Sequence, residues 1–335
     1  MIFLRQKIPL KRFLLWMVIL SFAGCSSGLI DFSGRFYVTV GPNPRAVLDV
    51  EQSGSDVSFT MSGSGFFIQG SGLVYEKSMT LAATFAEFGL FEALVVSGNE
   101  GQTFVGDWTV TGPNFMEGTI SGTRSKWPTY DMETNGIPQF ISADCIDLPK
   151  TDRVSKFRSG EGLDYSDDFE SCRSMKHSFG LKPGVDPLTA RIFAPVNGRV
   201  VGKLEDWEGT TLWKGTTVGI QPDGFSAFWI LIFHLNSELS LNVGDRLFAG
   251  QALGRSEKPD GGTSIVVWAH TPEGDKLLSY FLVITDAVFA AYNGRGMLSR
   301  YDAIISKAAR DVDPLTCDGE EIVDRGNLGH WFILN

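Results

Sequence analysis

The chain has 335 residues and a formal net charge of −10, with 29 Lys and Arg residues against 39 Asp and Glu residues. This length is enough for two domains of ordinary size. Nucleic-acid binding needs clustered Lys and Arg side chains to meet the phosphates, and this acidic sequence contains no basic stripe. We therefore expect no nucleic-acid partner.

Residues 1–24 have the pattern of an export signal. Arg5, Lys7, Lys11 and Arg12 precede an apolar run that extends from Phe13 to Ala23. This run is shorter than the roughly 20 apolar residues that a membrane-spanning helix needs. The pattern predicts a signal peptide that is removed on export.

The end of this signal resembles the lipobox of bacterial lipoproteins. Phe22-Ala23-Gly24-Cys25 has the small residues and the cysteine of that motif, although Phe22 stands where leucine is usual. The resemblance implies that lipid on Cys25 anchors the chain in a membrane. Ser26, in place of aspartate, implies the periplasmic face of the outer membrane. The alternative is an ordinary cleaved signal with a chance cysteine. We expect a lipoprotein of the cell envelope.

Three further cysteines follow, namely Cys145, Cys172 and Cys317. An oxidising compartment permits one disulfide among them and leaves one thiol over. The sequence does not decide which two residues pair, and three unpaired thiols are an alternative. We favour Cys172 with Cys317, because both flank the C-terminal domain and a bridge would tie its two ends.

Residues 25–125 are predicted to form an antiparallel β-barrel or sandwich. Apolar residues alternate with polar ones, and turn residues interrupt them at 53–56 and 97–100. This pattern resembles small lipocalin-like barrels of exported bacterial proteins, and the resemblance implies a cavity for a small apolar ligand. Plain core is the alternative role for its aromatic residues. These are Phe66, Phe67, Phe85, Phe88 and Phe91.

Residues 126–184 are rich in proline and acidic clusters, and they are predicted to be a linker that wraps the following domain. Residues 185–335 are predicted to be a second β domain with short C-terminal helices. A tight turn at Asn197-Gly198 is expected to join two strands. The other predicted strands are 216–220, 228–234, 246–253, 264–268 and 331–334, and the predicted helices are 286–292 and 299–310, the second opened by the capping pattern Ser299-x-x-Asp302.

Four segments of the second domain occur in a recognisable order. They are APVNGRVV from Ala194, FHLN from Phe233, VGDRLFAGQALG from Val243 and GTSIVVW from Gly262. In this order they resemble lysostaphin-type (LytM-like) zinc endopeptidases, which cut peptide cross-links in bacterial cell walls. The resemblance implies a β-sandwich of the barrel-sandwich hybrid type. Biotinyl and lipoyl carriers share two of these segments, but the carrier lysine does not follow here.

The resemblance implies a zinc ion held by two neutral imidazoles and one carboxylate, with a further catalytic histidine. His234 matches that catalytic position. Asp186 keeps the carboxylate, but Lys182 stands where the first histidine is expected, and a protonated ammonium has no lone pair for zinc. The later His-x-His strand aligns with 263–265, where no histidine occurs. The domain is therefore predicted to be a degenerate endopeptidase, or pseudoenzyme, without a cofactor.

Three hypotheses of function remain open. The first is a lipid-anchored envelope protein whose second domain binds peptidoglycan or a protein partner without cleaving it, in a groove between loops at one end of the sheet, with stacking on Trp207, Trp213 or Trp229. The second is a zinc-dependent peptidoglycan endopeptidase with an atypical ligand set, for which the metal candidates are His177, Asp186 and His270. The third is a carrier of a small apolar ligand in the N-terminal barrel.

Overall fold

The computed structural model describes residues 28–63, 66–85, 88–112, 115–205, 215–237, 239–257 and 262–335. The signal segment, Cys25, Trp207 and Trp213 lie outside the described residues. The fold is mainly β, as predicted. Strands β1–β18 and β21 form one hydrogen-bonded system, and β19 and β20 form a separate hairpin. The first eight strands are β1 Gly34–Val40, β2 Asn43–Ser53, β3 Asp56–Gly63, β4 Phe66–Tyr75, β5 Ser78–Phe85, β6 Gly89–Gly98, β7 Thr103–Thr111 and β8 Met116–Thr123.

These eight strands close into an antiparallel barrel, because each pairs with the next and β8 pairs with β1. Side chains alternate between the two faces of each strand, so every second residue enters the interior. The interior is filled by buried apolar residues that include Phe36, Leu48 and Phe104. The predicted barrel is thus confirmed, with a packed core.

The five phenylalanines predicted to line a cavity do not share one face. Phe91 is buried in the barrel interior, and Phe66 and Phe85 pack against that core from its rim. Phe67 and Phe88 are exposed. Phe66 and Phe67 are consecutive on β4, so their side chains necessarily leave opposite faces of the strand.

The second domain adds thirteen strands, two of them in the separate hairpin. They are β9 Thr151–Ser155, β10 His177–Leu181, β11 Arg191–Phe193, β12 Gly198–Leu204, β13 Thr216–Pro222, β14 Phe228–Ser237, β15 Arg246–Leu247, β16 Ala252–Ser256, β17 Thr263–Thr271, β18 Gly274–Leu278, β19 Thr316–Asp318, β20 Glu321–Asp324 and β21 Trp331–Ile333. Strand β10 pairs with β17, and β9 pairs with β10 and β21. The segment expected to be a linker therefore contributes two strands to the sheet as well as wrapping it.

The helices are short: α1 Met132–Asn135, α2 Tyr280–Val283, α3 Asp286–Asn293 and α4 Lys307–Val312. The single helix predicted over 299–310 is wrong, because a 3-10 turn at Arg300–Ala303 and α4 are separate elements. The break arises where the backbone of Phe157 accepts the N–H of Ile305 at 3.0 Å. The predicted capping box of Ser299 and Asp302 is present. Among the described residues no helix is long and apolar enough to cross a membrane.

The predicted hairpin at Asn197-Gly198 is also wrong. Strand β11 pairs with β16, whereas β12 pairs with β13 and β15. The Asn197 side chain instead accepts the N–H of Ala249 at 2.9 Å, which fixes the chain between the two strands. Gly198 is needed for close packing, because a Cβ there would lie 2.4 Å from the Gln221 carbonyl oxygen.

Both faces of the central β14–β17 sheet are buried. Phe228, Ile230 and Ile232 enter the main core on one face. On the other face, Trp229 and its alternate neighbours on β14 form a second apolar cluster, and it includes Phe157 and Met175 from the wrapping segment, residues 126–176. Trp229 is therefore not available for stacking on a ligand.

The wrapping segment is fastened at its far end by a disulfide. Cys172 and Cys317 are bonded, and Cys145 is a buried thiol. Beside the disulfide, Glu170 accepts hydrogen bonds from Arg158 at 2.6 Å and from Arg173 at 2.6 Å. The carboxylate is only 5% exposed, so the pair of guanidinium groups compensates its burial. The wrap is thus held on the sheet by covalent and ionic links as well as by apolar packing.

The barrel and the second domain meet where β8 contacts β12. Leu204 on β12 pairs with Gly118 on β8. The Lys203 N–H donates to the Thr119 hydroxyl at 2.9 Å. At Gly202 a Cβ would lie 1.8 Å from the Gly41 carbonyl oxygen, so the two backbones are in close contact.

Candidate functional site

His234 lies at a corner of β14. The strand pairs with β17 up to Phe233 and with β16 from Leu235 onward, so its partner changes at His234. The backbone φ of His234 is 60°, in the left-handed region that non-glycine residues rarely adopt. An irregularity in the register with β13 accompanies the corner. Its carbonyl accepts the Glu257 N–H at 2.9 Å, which helps to hold this conformation.

A cavity opens beside this corner, at the end of the sheet. We call it the sheet-end cavity; its volume is about 340 Å³. Polar residues dominate its lining. The lining residues are Lys203, Glu205, Gly215, Thr216, Leu235, Asn236, Ser237, Leu239, Ser240, Leu241 and Glu257. The resemblance implied a binding groove between loops at one end of the sheet.

Charges of both signs stand in this cavity. The Lys203 ammonium lies 2.6 Å from a Glu205 carboxylate oxygen. The other oxygen of Glu205 accepts the Thr216 hydroxyl at 2.9 Å. Glu257 adds a second carboxylate to the wall. Such a set can hydrogen-bond a ligand that carries both amine and carboxylate groups.

The residues at the implied ligand positions make local structural contacts. Lys182 is exposed in the turn after β10, and its carbonyl accepts the Val185 N–H at 3.1 Å. Asp186 caps a short 3-10 turn by accepting the Leu188 N–H at 3.0 Å. Thr263 and Ile265, at the two histidine positions of the later motif, are buried in β17; Thr263 donates to the Phe233 carbonyl, and Ile265 packs in the main apolar core.

His177 is a structural residue in the core. Its Nδ1 lies 2.7 Å from the Ser155 carbonyl oxygen, and its Nε2 lies 2.8 Å from the Ser279 hydroxyl. Since a carbonyl only accepts, Nδ1 carries the proton and Nε2 accepts from Ser279. Burial lowers the pKa of His177 to about 4. The ring is therefore neutral, and the lone pair that could bind a metal is already engaged.

His270 lies in an aromatic cage on the second face of the sheet. Its ring is parallel to Trp127 at 4.9 Å and nearly perpendicular to Trp229 at 4.6 Å. Nδ1 makes a very short contact with the Asp275 carboxylate. The cage and the Asp275 carboxylate fix the ring, and Nε2 is buried without a hydrogen-bond partner among the described residues.

The described residues do not fit the zinc site that the resemblance implies. His177, Asp186 and His270 occupy three different environments, and no group of three His, Cys, Asp or Glu side chains within the described ranges could hold a metal ion. The atypical ligand set is therefore not assembled among the described residues. His330 is likewise engaged, since its Nδ1 accepts the Gly160 N–H at 2.9 Å.

A second polar cluster was not predicted from the sequence. Asp144 accepts hydrogen bonds from the hydroxyls of Tyr292 at 2.8 Å and Tyr280 at 3.2 Å, and Cys145 is buried beside it. Burial raises the pKa of Asp144 to about 6. An open cavity of about 480 Å³, mainly apolar, adjoins the cluster. These residues come from distant parts of the chain, so no local motif could reveal them.

No protein-family model matches the chain, and no curated protein matches it in sequence. Two solved structures of Csd3 from Helicobacter pylori, from an orthorhombic and a hexagonal crystal, are similar to it at 12% identity, with TM-scores of 0.30 and 0.26. The matches cover 76% and 77% of this chain but 57% and 56% of Csd3. The chain thus spans little more than half the length of Csd3. Similarity at this level carries no functional argument.

Proposed function

We propose that this protein is a non-catalytic binding protein of the bacterial cell envelope, anchored by lipid on Cys25. Its second domain binds wall peptide of peptidoglycan in the sheet-end cavity. The observation that carries the proposal is the polar, open cavity beside His234, in a sheet whose two faces are otherwise buried. A protein partner in the envelope would be recognised through the same surface.

The chemistry of the cavity favours a peptide with charges of both signs. Lys203 supplies an ammonium, and Glu205 and Glu257 supply carboxylates. Stem peptides of the wall carry free carboxylates and amines, so they complement both kinds of group. The polar side chains of Asn236 and Ser240 in the cavity wall add groups that can hydrogen-bond a peptide.

The residues at the implied metal positions support binding without cleavage. Peptide hydrolysis in the resembling family needs a metal-activated water, and Lys182 and Ile265 stand at two of the positions that would hold the metal. The candidates His177 and His270 have their rings fixed elsewhere. The packed barrel interior gives the carrier hypothesis no corresponding support.

Isolated cell-wall sacculi provide the test. The full chain is incubated with sacculi, and the bound fraction is measured after sedimentation. Asn236→Trp places a large side chain at an exposed position of the cavity wall and should abolish binding by filling the cavity. Ser226→Trp is the matched control, because Ser226 is exposed just before the opposite end of the same strand.

Equal binding by both variants would contradict the cavity assignment. Release of wall fragments by the parent chain, lost on removal of zinc, would restore the endopeptidase hypothesis. The anchor is tested separately with Cys25→Ser, which should move the protein from the membrane fraction to the soluble fraction. Membrane partition unchanged by that substitution would exclude the lipid on Cys25.

A further inference from the structure

An apolar area lies on the outer surface of the barrel. Tyr75 pairs with Ser78, Ser78 with Val96, and Val96 with Val105, so these residues form one row across β4–β7. Leu73 and Leu94 lie two positions along β4 and β6 and share the same outward face. The exposed fractions are 55% for Leu73, 49% for Tyr75, 37% for Leu94, 46% for Val96 and 52% for Val105. We call these five residues the outer barrel patch.

The outer barrel patch lies apart from the contact between the two domains. That contact uses β8 and β1, which pack against β12. These five side chains are not part of the barrel core, which is filled by residues on the inward face of the strands. Soluble monomers rarely leave neighbouring large apolar side chains exposed, and such areas mark surfaces of interaction.

The described chain begins at the same end of the barrel. The Ile30 N–H donates to the Glu76 carbonyl at 3.1 Å, and Glu76 directly follows Tyr75 in the turn between β4 and β5. Cys25 precedes Gly28 by three residues, which span at most about 10 Å when extended. A lipid on Cys25 would therefore hold the membrane within a short distance of the outer barrel patch.

We infer that the outer barrel patch lies against the surface of the lipid bilayer, beside the lipid anchor. This inference rests on the proposed lipidation of Cys25. The short tether gives the patch a high effective concentration of lipid, an advantage that a second copy of the chain lacks. Acyl anchoring is strengthened and oriented by a second contact with the membrane, and tyrosine is favoured at the membrane interface. Docking would fix the orientation of the barrel on the membrane.

The experiment uses the lipidated full chain in vesicles of phosphatidylethanolamine and phosphatidylglycerol. A fluorophore is attached at Asp107→Cys, an exposed position that pairs with Leu94 of the patch. The matched control is Glu51→Cys on β2, exposed on the opposite side of the barrel. Both changes remove one carboxylate, and Cys145 is buried while Cys172 and Cys317 are bonded, so the added cysteine is the labelling site.

Quenching by brominated lipid should be severalfold stronger at position 107 than at position 51. The isosteric pair Val96→Thr and Val105→Thr in the position-107 protein should lower that quenching while the chain still sediments with the vesicles. Sedimentation with weak, equal quenching at both positions would overturn the docking and leave the anchor intact. Failure to sediment would overturn both. Energy transfer between labelled copies without lipid quenching would assign the patch to a second copy instead.

Discussion

Cys172 and Cys317 are joined by a disulfide across a sequence separation of 145 residues, with their Cα atoms 5.7 Å apart. The bond links the wrapping segment to the hairpin of β19 and β20. Closing a loop of this length restricts the unfolded chain, which corresponds to about 3–5 kcal/mol of stability. The double variant Cys172→Ser and Cys317→Ser should lose an amount of this order in guanidinium unfolding. Cys145→Ser, at the buried thiol, controls for loss of a cysteine alone, and a double variant as stable as the parent would refute the prediction.

The buried imidazole of His177 should make the protein sensitive to mild acid. Its folded-state pKa of about 4 is below the ordinary value of 6.5, so the unfolded chain takes up the proton first as pH falls. The stability that is linked to neutral His177 is fully present above pH 6.5. It is lost as pH falls towards 4, at up to about 1.4 kcal/mol per pH unit. Unfolding curves of the parent and His177→Gln at several pH values measure this slope. A variant with the same slope as the parent would show that His177 is not its source.

The buried carboxyl group of Asp144 should make the folded state less stable as pH rises from about 4 to 6, which is opposite in sign to the effect of His177. Burial raises its folded-state pKa to about 6 from an ordinary 3.8, so the folded chain keeps a proton that the unfolded chain releases. Its contribution is complete below pH 3.8 and is lost as pH rises through 6. Asp144→Asn removes the titration and keeps the shape, so its stability relative to the parent should rise by about 2–3 kcal/mol between pH 4 and 7. A difference that stays constant with pH would contradict this assignment.

Local sequence patterns were sufficient for the barrel and for most strands of the second domain. The alternation of apolar and polar residues predicted the burial of Phe36 and Val38, because successive side chains of a strand point to opposite faces. The hairpin expected at Asn197-Gly198 failed because tertiary pairing with β16 and β13 outweighed a local turn preference. The site was harder to predict. The burial of both faces of β14 depends on Phe157 and Met175, and the Asp144 cluster depends on Tyr280 and Tyr292, contacts that no local pattern encodes.

The left-handed backbone at His234 predicts that the stability of variants at this position depends on how easily the new residue adopts a positive φ. Glycine adopts a φ of 60° without strain, so His234→Gly should destabilise the protein less than His234→Ala, which removes the same buried imidazole. His234→Val, with a β-branched side chain, should cost about 1–3 kcal/mol at the same position. Because no metal is expected to depend on the imidazole, His234→Gly should also retain sacculus binding. Loss of binding in a normally folded His234→Gly protein would place the imidazole in the ligand contact.

Gly202 predicts how firmly the barrel is joined to the second domain. It lies on β12, where a Cβ would meet the Gly41 carbonyl oxygen at 1.8 Å and the Thr39 side chain at 3.2 Å. Backbone cannot move aside as a flexible side chain can, so Gly202→Ala should separate the two surfaces and cost about 1–3 kcal/mol. Calorimetry should show the change as a lower transition temperature or as two resolved transitions. Gly329→Ala is the control, since a Cβ there meets nothing within 4 Å. If Gly202→Ala unfolded like this control, the close contact of the two backbones would not be what couples the barrel to the sheet.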